Sequence, residues 1–312
     1  MADNPTPRIG IALGSGSARG WVHIGILRGL EAAGIVPDIV CGTSIGALVG
    51  AAYASQRLDA LQEWILAINW WEILRLMKPR PTALVEGERL MKAFSERVED
   101  VPIESLPKIF GAVATDLLSG REIWFQKGSL MEAVRASIAL PGLFSPVYQN
   151  GRWLVDGGLV DPVPVSLCRA LGAELVIAVN LNNDIVGKHL RKREQRPEPG
   201  DWLGQLGSRL QKAIWDWQRR QGEEGMPGLF DVIAGSMNIM QDRITRSRLA
   251  GEPPDVVLAP RLAQLALMDF DRAEEAIAIG MEYVKLNLPL LKDALSLDAA
   301  EEENPPPLVE GE

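Results

Sequence analysis

The chain has 312 residues, 47% of them hydrophobic and 23% charged, enough for one large α/β domain or two small ones. A formal net charge of -9 excludes a general nucleic-acid binder, since phosphate backbones are held by a basic excess. Neither Cys41 nor Cys168 stands in a metal-ligand or redox spacing, so no disulfide framework is expected and a reducing cytoplasm suits the chain.

The opening residues, MADNPTPRIGIAL, lack the basic region and cleavage site of a secretory signal, and a cytoplasmic protein is expected. Arg8 to Leu13 reads as a strand closed by a Gly/Ser cluster. A helix from about Arg19 to Ala33 follows, with Val22, Ile26 and Leu30 on one face and Gly34 as its stop. PDIVCG is a second strand, and Ile45 to Gln56 a helix rich in Ala and Gly. Ile39 to Gln56 is the least charged run, yet its turn glycines divide it into buried strand and buried helix rather than a membrane span. The order β-loop-α-β-turn-α predicts a parallel sheet covered by helices.

Leu58 to Met77 is a helical stretch carrying Trp64, Trp70 and Trp71, and Glu86 to Val98 is another helix. IFGAVATD and REIWFQ form an antiparallel pair around Leu118-Ser119-Gly120. Met131 to Ile138 is a helix broken by LPGLFSPV, and RWLVDGG is a short strand ending in a turn. Val163 to Leu171 is a helix and AELVIAVNL a buried strand. Residues 182–225, dense in charge, Gly and Pro and holding Trp202, Trp215 and Trp217, read as a lid-like insertion. A helix near Val232 to Leu249, the strand DVVLAP and a helix from Asp271 to about Leu295 close a domain spanning 1–297. The acidic, Pro-rich residues 298–312 read as a disordered tail.

Three stretches carry chemistry. Gly42-Thr43-Ser44-Ile45-Gly46 places a serine at a strand-to-helix turn, the context of a nucleophile elbow, where small flanking residues are needed and the helix N-terminus favours a developing oxyanion. LGSGSARG, with Gly14, Ser15, Gly16 and Ser17, follows one strand and opens one helix. Its spacing departs from the dinucleotide fingerprint, and the second strand ends without an acid for a ribose, so an oxyanion hole is the better use of its free amides. In LVDGGLVDPVPV, Asp156 ends a strand before Gly157 and Gly158; this is either a plain β-turn or a base held at a strand end.

Together LGSGSARGWVHIGIL, GTSIGALVGAAYA, ATDLLSG, RASIALPGLFSPV and DGGLVDPVPV resemble the patatin-like phospholipases, and within them the bacterial proteins similar to neuropathy target esterase. The resemblance runs motif by motif from about Arg8 to Asn180 and more weakly through ITRSRLAGEPPDVVLAP. It implies a three-layer α/β/α sandwich with a mostly parallel central sheet and a Ser-Asp dyad without histidine. By position the nucleophile is Ser44, the base Asp156, and the oxyanion donors lie in the loop from Gly14 to Ser17. Gly42, Gly46, Gly157 and Gly158 support the two turns. Ser15 and Ser17 stand where the family favours glycine, so the loop is expected to avoid positive φ there. Asp161 stands where asparagine is common, which adds charge near the base.

The remaining candidates read as structural. His23 is expected as a packed, hydrogen-bonded helix histidine, and Arg19 as a brace of the loop or a head-group contact. Asp116 is expected to hold a strand end, Cys41 to be a small buried hydrophobe, and Met237, Met240 and Ile244 to pack in a core or lid. The order Ser44, Asp156, His189 also matches an α/β-hydrolase triad, although GKHLRKREQRPEPG is a poor support for an imidazole. The expected activity is hydrolysis of lipid carboxylic esters, phospholipid or lysophospholipid, with no metal or cofactor. A catalytically silent regulatory protein of the same fold and a nucleotide-binding module, weakened by the missing acid, are the other classes. The expected partner is a lipid ester substrate, with peripheral contact at the inner membrane face left open and no nucleic acid.

Overall fold

The computed structural model describes residues 7–67, 83–85, 87–184 and 229–295. Met77, Trp70, Trp71, His189, Trp202, Trp215, Trp217 and the tail 298–312 lie outside these, as does the expected insertion beyond residue 184. The central sheet begins with β1 (Ile9–Leu13) and β2 (Ile39–Thr43), whose residues are all buried. Such unbroken apolar runs suit strands covered on both faces. β4 (Ile109–Asp116), β9 (Leu175–Val179) and β10 (Val256–Leu258) join them in parallel, in the order β10-β9-β1-β2-β4.

On β4 the sheet turns antiparallel. β5 (Glu122–Phe125) and β8 (Arg152–Asp156) both pair with it, and β7 (Val147–Gln149) pairs with β8. Val113 faces Thr43 on one side and Trp124 on the other, while Ala114 faces Asp156 and Ile123. β2 and β8 therefore lie end to end along the same side of β4, arriving from opposite directions. Their C-terminal ends meet at Val113 and Ala114. The remaining strands, β3 (Ala83–Val85) and β6 (Gly142–Phe144), form a separate parallel pair. β6 and β7 fall where the sequence predicts only a broken helix end and a loop. Each is three residues long, too short for an alternating pattern to stand out.

Alternation along the strands sorts the two faces. Ile9, Ile11 and Leu13 share a core with α1 (Val22–Ala32), α2 (Ile45–Ala54), α3 (Leu58–Ala67), α4 (Gly87–Ser95), α5 (Leu130–Ser137) and α8 (Ala273–Ala294). Ala12, Ile39 and Cys41 face the opposite side, against α6 (Val165–Ala170), with Leu249 of α7 (Leu229–Gly251) packed on that cluster. The result is the expected three-layer α/β/α sandwich. α1 and α8 touch backbone to backbone: a Cβ on Gly25 would stand 1.9 Å from the Ile277 carbonyl oxygen. The expected helix start at Arg19 is instead a tight 3-10 turn over Ser17–Trp21, which brings the loop after β1 into α1.

Candidate active site

β1 and β2 are parallel with Leu13 opposite Gly42, so the Gly-rich loop and the serine turn leave the sheet at the same edge. Ser44 occupies the turn itself, with φ 59° and ψ -126° just before α2. A left-handed serine costs roughly 1–3 kcal/mol and persists only where its surroundings over-determine it. Here they do. A Cβ on Gly46 would lie 2.1 Å from the Leu13 carbonyl oxygen, and one on Gly42 would lie 2.4 Å from the Ala47 amide nitrogen. The Ser44 N–H donates to Ser137 Oγ at 2.8 Å, and that hydroxyl donates onward to the Val113 carbonyl at 2.6 Å. Ser137 was not marked by the sequence. It sits in RASIALPG as one more small helix residue, and only the register of β4 gives it this place.

Asp156 ends β8 at the same point of β4. Its Oδ2 accepts from Ser44 Oγ at 2.5 Å and its Oδ1 from the Gly158 N–H at 2.7 Å. Gly157 has no room for a side chain, because a Cβ would stand 2.2 Å from the Val113 carbonyl oxygen. The carboxyl is fully buried, and burial pushes it up to about 7 against the opposing hydrogen bonds from Ser44 and Gly158. A carboxylate in water is a weak base for an alcohol; one raised to neutrality has far more driving force for proton transfer.

The loop after β1 divides in two. The amides of Gly14 and Ser15 are given to the carbonyls of Val179 and Pro162, at 3.1 and 2.8 Å. Those of Gly16 and Ser17 have no acceptor among the described residues. Of the four expected oxyanion residues, two thus have an unpartnered amide among the described residues. The expected avoidance of positive φ fails at Ser17, whose φ is 52°. Its hydroxyl holds the strained turn by donating to the Leu267 carbonyl at 2.7 Å. Gly16 has φ 176° and ψ 0°, and a Cβ there would crowd Leu181, lying 2.9 Å from its methyl and 3.3 Å from its Cβ.

Ser15, Gly16, Ser17 and Ser44 open onto a cleft with about 540 Å³ of empty space, partly continuous with solvent. Leu140, Pro141, Leu143, Ile233, Met237, Leu267 and Met268 give it mostly apolar walls, and Asn238 and Gln241 of α7 add amides. An ester with a hydrocarbon tail suits such a site.

Arg19 is buried: its Nε donates to the Gly16 carbonyl at 3.1 Å and a terminal nitrogen to Asn238 at 3.2 Å. Burial lowers its pKa to about 10, opposed by the charge of Asp184. His23 is a buried helix histidine whose Nε2 bonds the Gly14 carbonyl at 2.7 Å; burial lowers its pKa to about 4, so it is neutral and donates. Asp116 caps the β4–β5 turn by accepting from the Leu118 and Ser119 amides. Cys41 is fully buried, and burial raises its thiol well above the ordinary range. Met237 packs inward, but Met240 is 47% exposed, contrary to a core role. Asp161 is fully buried, and Arg248 on α7 pairs with it at 3.2 Å. Burial still pushes Asp161 up to about 7, with Arg248 opposing.

Residues 11–169 match the family model of the patatin-like phospholipases. An uncharacterized NTE family protein of Mycobacterium tuberculosis is 34% identical over 326 residues, covering 88% of this chain and 89% of the relative. Human patatin-like phospholipase domain-containing protein 6 is 34% identical over 292 residues, 89% of this chain but 20% of that one. Lysophospholipase NTE1 of Pyricularia oryzae is 28% identical, over 94% of this chain and 19% of its own length. Among solved structures, VipD of Legionella pneumophila superposes with a TM-score of 0.53 at 13% identity, over 94% of this chain and 67% of that one, a likeness of fold. No helix among the described residues is long and apolar enough to cross a membrane. Five ordered motifs, the β2–β8 junction and these relatives agree: the chain belongs to the patatin-like phospholipase family.

Proposed function

We propose that this protein is a serine acyl hydrolase that cleaves a fatty acyl ester of a phospholipid or lysophospholipid through Ser44 and Asp156. The observation that carries the reading is the 2.5 Å hydrogen bond between a strained elbow serine and a buried carboxylate, at the floor of an apolar cleft. Asp156 takes the Ser44 proton as Oγ attacks the acyl carbonyl carbon. The oxyanion that forms is met by the amides of Gly16 and Ser17, with the N-terminus of α2 behind it. Collapse of the tetrahedral species expels the glycerol oxygen, which takes the proton back from Asp156. Water then attacks the acyl-enzyme with Asp156 again as base, releasing the fatty acid and restoring Ser44.

Named lysophospholipase and phospholipase relatives support the lipid class. The test is fatty acid release, measured by mass spectrometry, from one-chain and two-chain glycerophospholipids and from triacylglycerol. Release from a glycerophospholipid that disappears in Ser44→Ala is expected. Undiminished release in Ser44→Ala, or no release from any ester, would contradict the reading.

A further inference from the structure

We infer that Gln241 is a positioning residue for acyl transfer: from α7 it sets the oxyanion loop through the hydroxyl of Ser15. The inference rests on the hydrolase reading above and adds a residue no motif marks. Ser15 is 1% exposed, so its hydroxyl is shut in among protein groups. That hydroxyl donates to Gln241 Oε1 at 3.3 Å. Asn182, at the end of the segment after β9, completes the cluster. Its Nδ2 lies 3.4 Å from the Ser15 carbonyl, 3.3 Å from Ser15 Oγ and 3.4 Å from Gln241 Oε1. A backbone carbonyl only accepts, so it determines which end of the Asn182 amide turns inward, and Asn182 in turn orients Gln241.

One turn earlier on α7, Asn238 accepts from Arg19, and Arg19 donates to the Gly16 carbonyl. α7 thus grips Ser15 and Gly16 from two successive turns, immediately before the two unpartnered amides. A glycine at position 15 would offer no such handle. Gln241 also borders the other half of the site, since its Nε2 lies 2.6 Å from where a Gly158 Cβ would be. Among the described residues, however, its hydrogen bonds run to Ser15 and Asn182 and not to the base. Loss of the grip should therefore disturb oxyanion placement while leaving the proton affinity of Asp156 alone.

The experiment measures kcat, KM and the pH profile of kcat/KM on a short soluble ester for Gln241→Met, Ser15→Ala and the double variant. A misplacement of under an ångström at the oxyanion predicts roughly a 10- to 100-fold fall in kcat with KM held within about twofold. The double variant should be no worse than either single one, because both remove the same link. Should Gln241→Met not fold, Ser15→Ala, which loses one oxygen, carries the test by the same kcat fall. Unchanged kcat in both single variants, independent multiplicative losses, or a moved pH midpoint would each overturn the inference. A wild-type protein that neither hydrolyses the ester nor reacts at Ser44 with a fluorophosphonate would instead remove the hydrolase reading on which it rests.

Discussion

Ser44 and Asp156, 112 positions apart in the chain, meet because Thr43 and Asp156 pair with consecutive residues of one strand, Val113 and Ala114. Ser44, just past the end of β2, and Asp156, at the end of β8, thus meet where two strands abut on a third. Rigid elements on both sides hold the pair, which is what a proton transfer at hydrogen-bond distance needs.

Asp156 should impose a pH midpoint near neutrality. Burial raises its pKa to about 7, so the ionised base disappears as pH falls through that value. Activity on a soluble ester, expressed as kcat/KM, should rise with pH and level off above the midpoint. A profile flat from pH 5 to 9 would exclude this carboxylate as the base.

The same shift has a consequence for stability, opposite in direction to the ordinary salt-bridged carboxylate. The folded pKa is raised above the unfolded value, so folding takes up a proton between about pH 4 and 7. The contribution of Asp156 is fully present below the unfolded pKa and is lost as pH rises through about 7. Asp156→Asn removes that loss, because an amide keeps an acceptor for Gly158 and no charge. It should be inactive yet more stable than wild type by up to a few kcal/mol at pH 8, and less so at pH 4. Denaturant melts at both pH values measure it; greater stabilisation at pH 4 would contradict the assignment.

In the loop, backbone and side chain separate cleanly. Ser17→Ala gives up the bond to the Leu267 carbonyl and should cost about 1 kcal/mol of stability while keeping most activity. Gly16→Pro removes an unpartnered amide and also forces φ from 176° to about -65°, so it should lower turnover by at least roughly 100-fold, the scale of a lost oxyanion donor, with loop distortion added. Loss of turnover in a well-folded Ser17→Ala would mean that the hydroxyl, not the amide, does the work.

Much of this was legible in the residues. The strand-to-helix serine turn, the Asp-Gly-Gly turn and the parallel character of the sheet follow from local patterns that small residues and apolar runs cannot disguise. Asp161 was legible as an extra charge, but not its partner. Arg248 lies 87 positions later, in the last turns of a helix whose sequence reads as an ordinary exposed basic face. Ser137 and Gln241 were silent for the same reason: a lone polar residue inside a helix has no spacing to announce it. The positive φ at Ser17 ran against expectation because a side-chain bond to Leu267, 250 residues away, offsets its strain.

The Asp161–Arg248 pair should be asymmetric to mutation. Arg248→Leu leaves a buried carboxylate without its counter-charge, a change that costs about 3–5 kcal/mol when a pair is broken from one side. The loss should be greater at pH 8, where Asp161 would otherwise be charged, than at pH 5. Asp161→Asn, which removes the buried charge itself, should be milder at both. Equal losses for the two variants at pH 8 would argue that the pair carries no desolvation cost.

The dyad is tested most directly by covalent labelling of the intact chain with a fluorophosphonate, read by peptide mass spectrometry. Ser44 should carry the label in the wild type and in His189→Gln, at comparable rates. Asp156→Asn should leave Ser44 unlabelled while folding normally. Label on a different serine, or a folded His189→Gln that fails to react, would contradict the Ser44–Asp156 account.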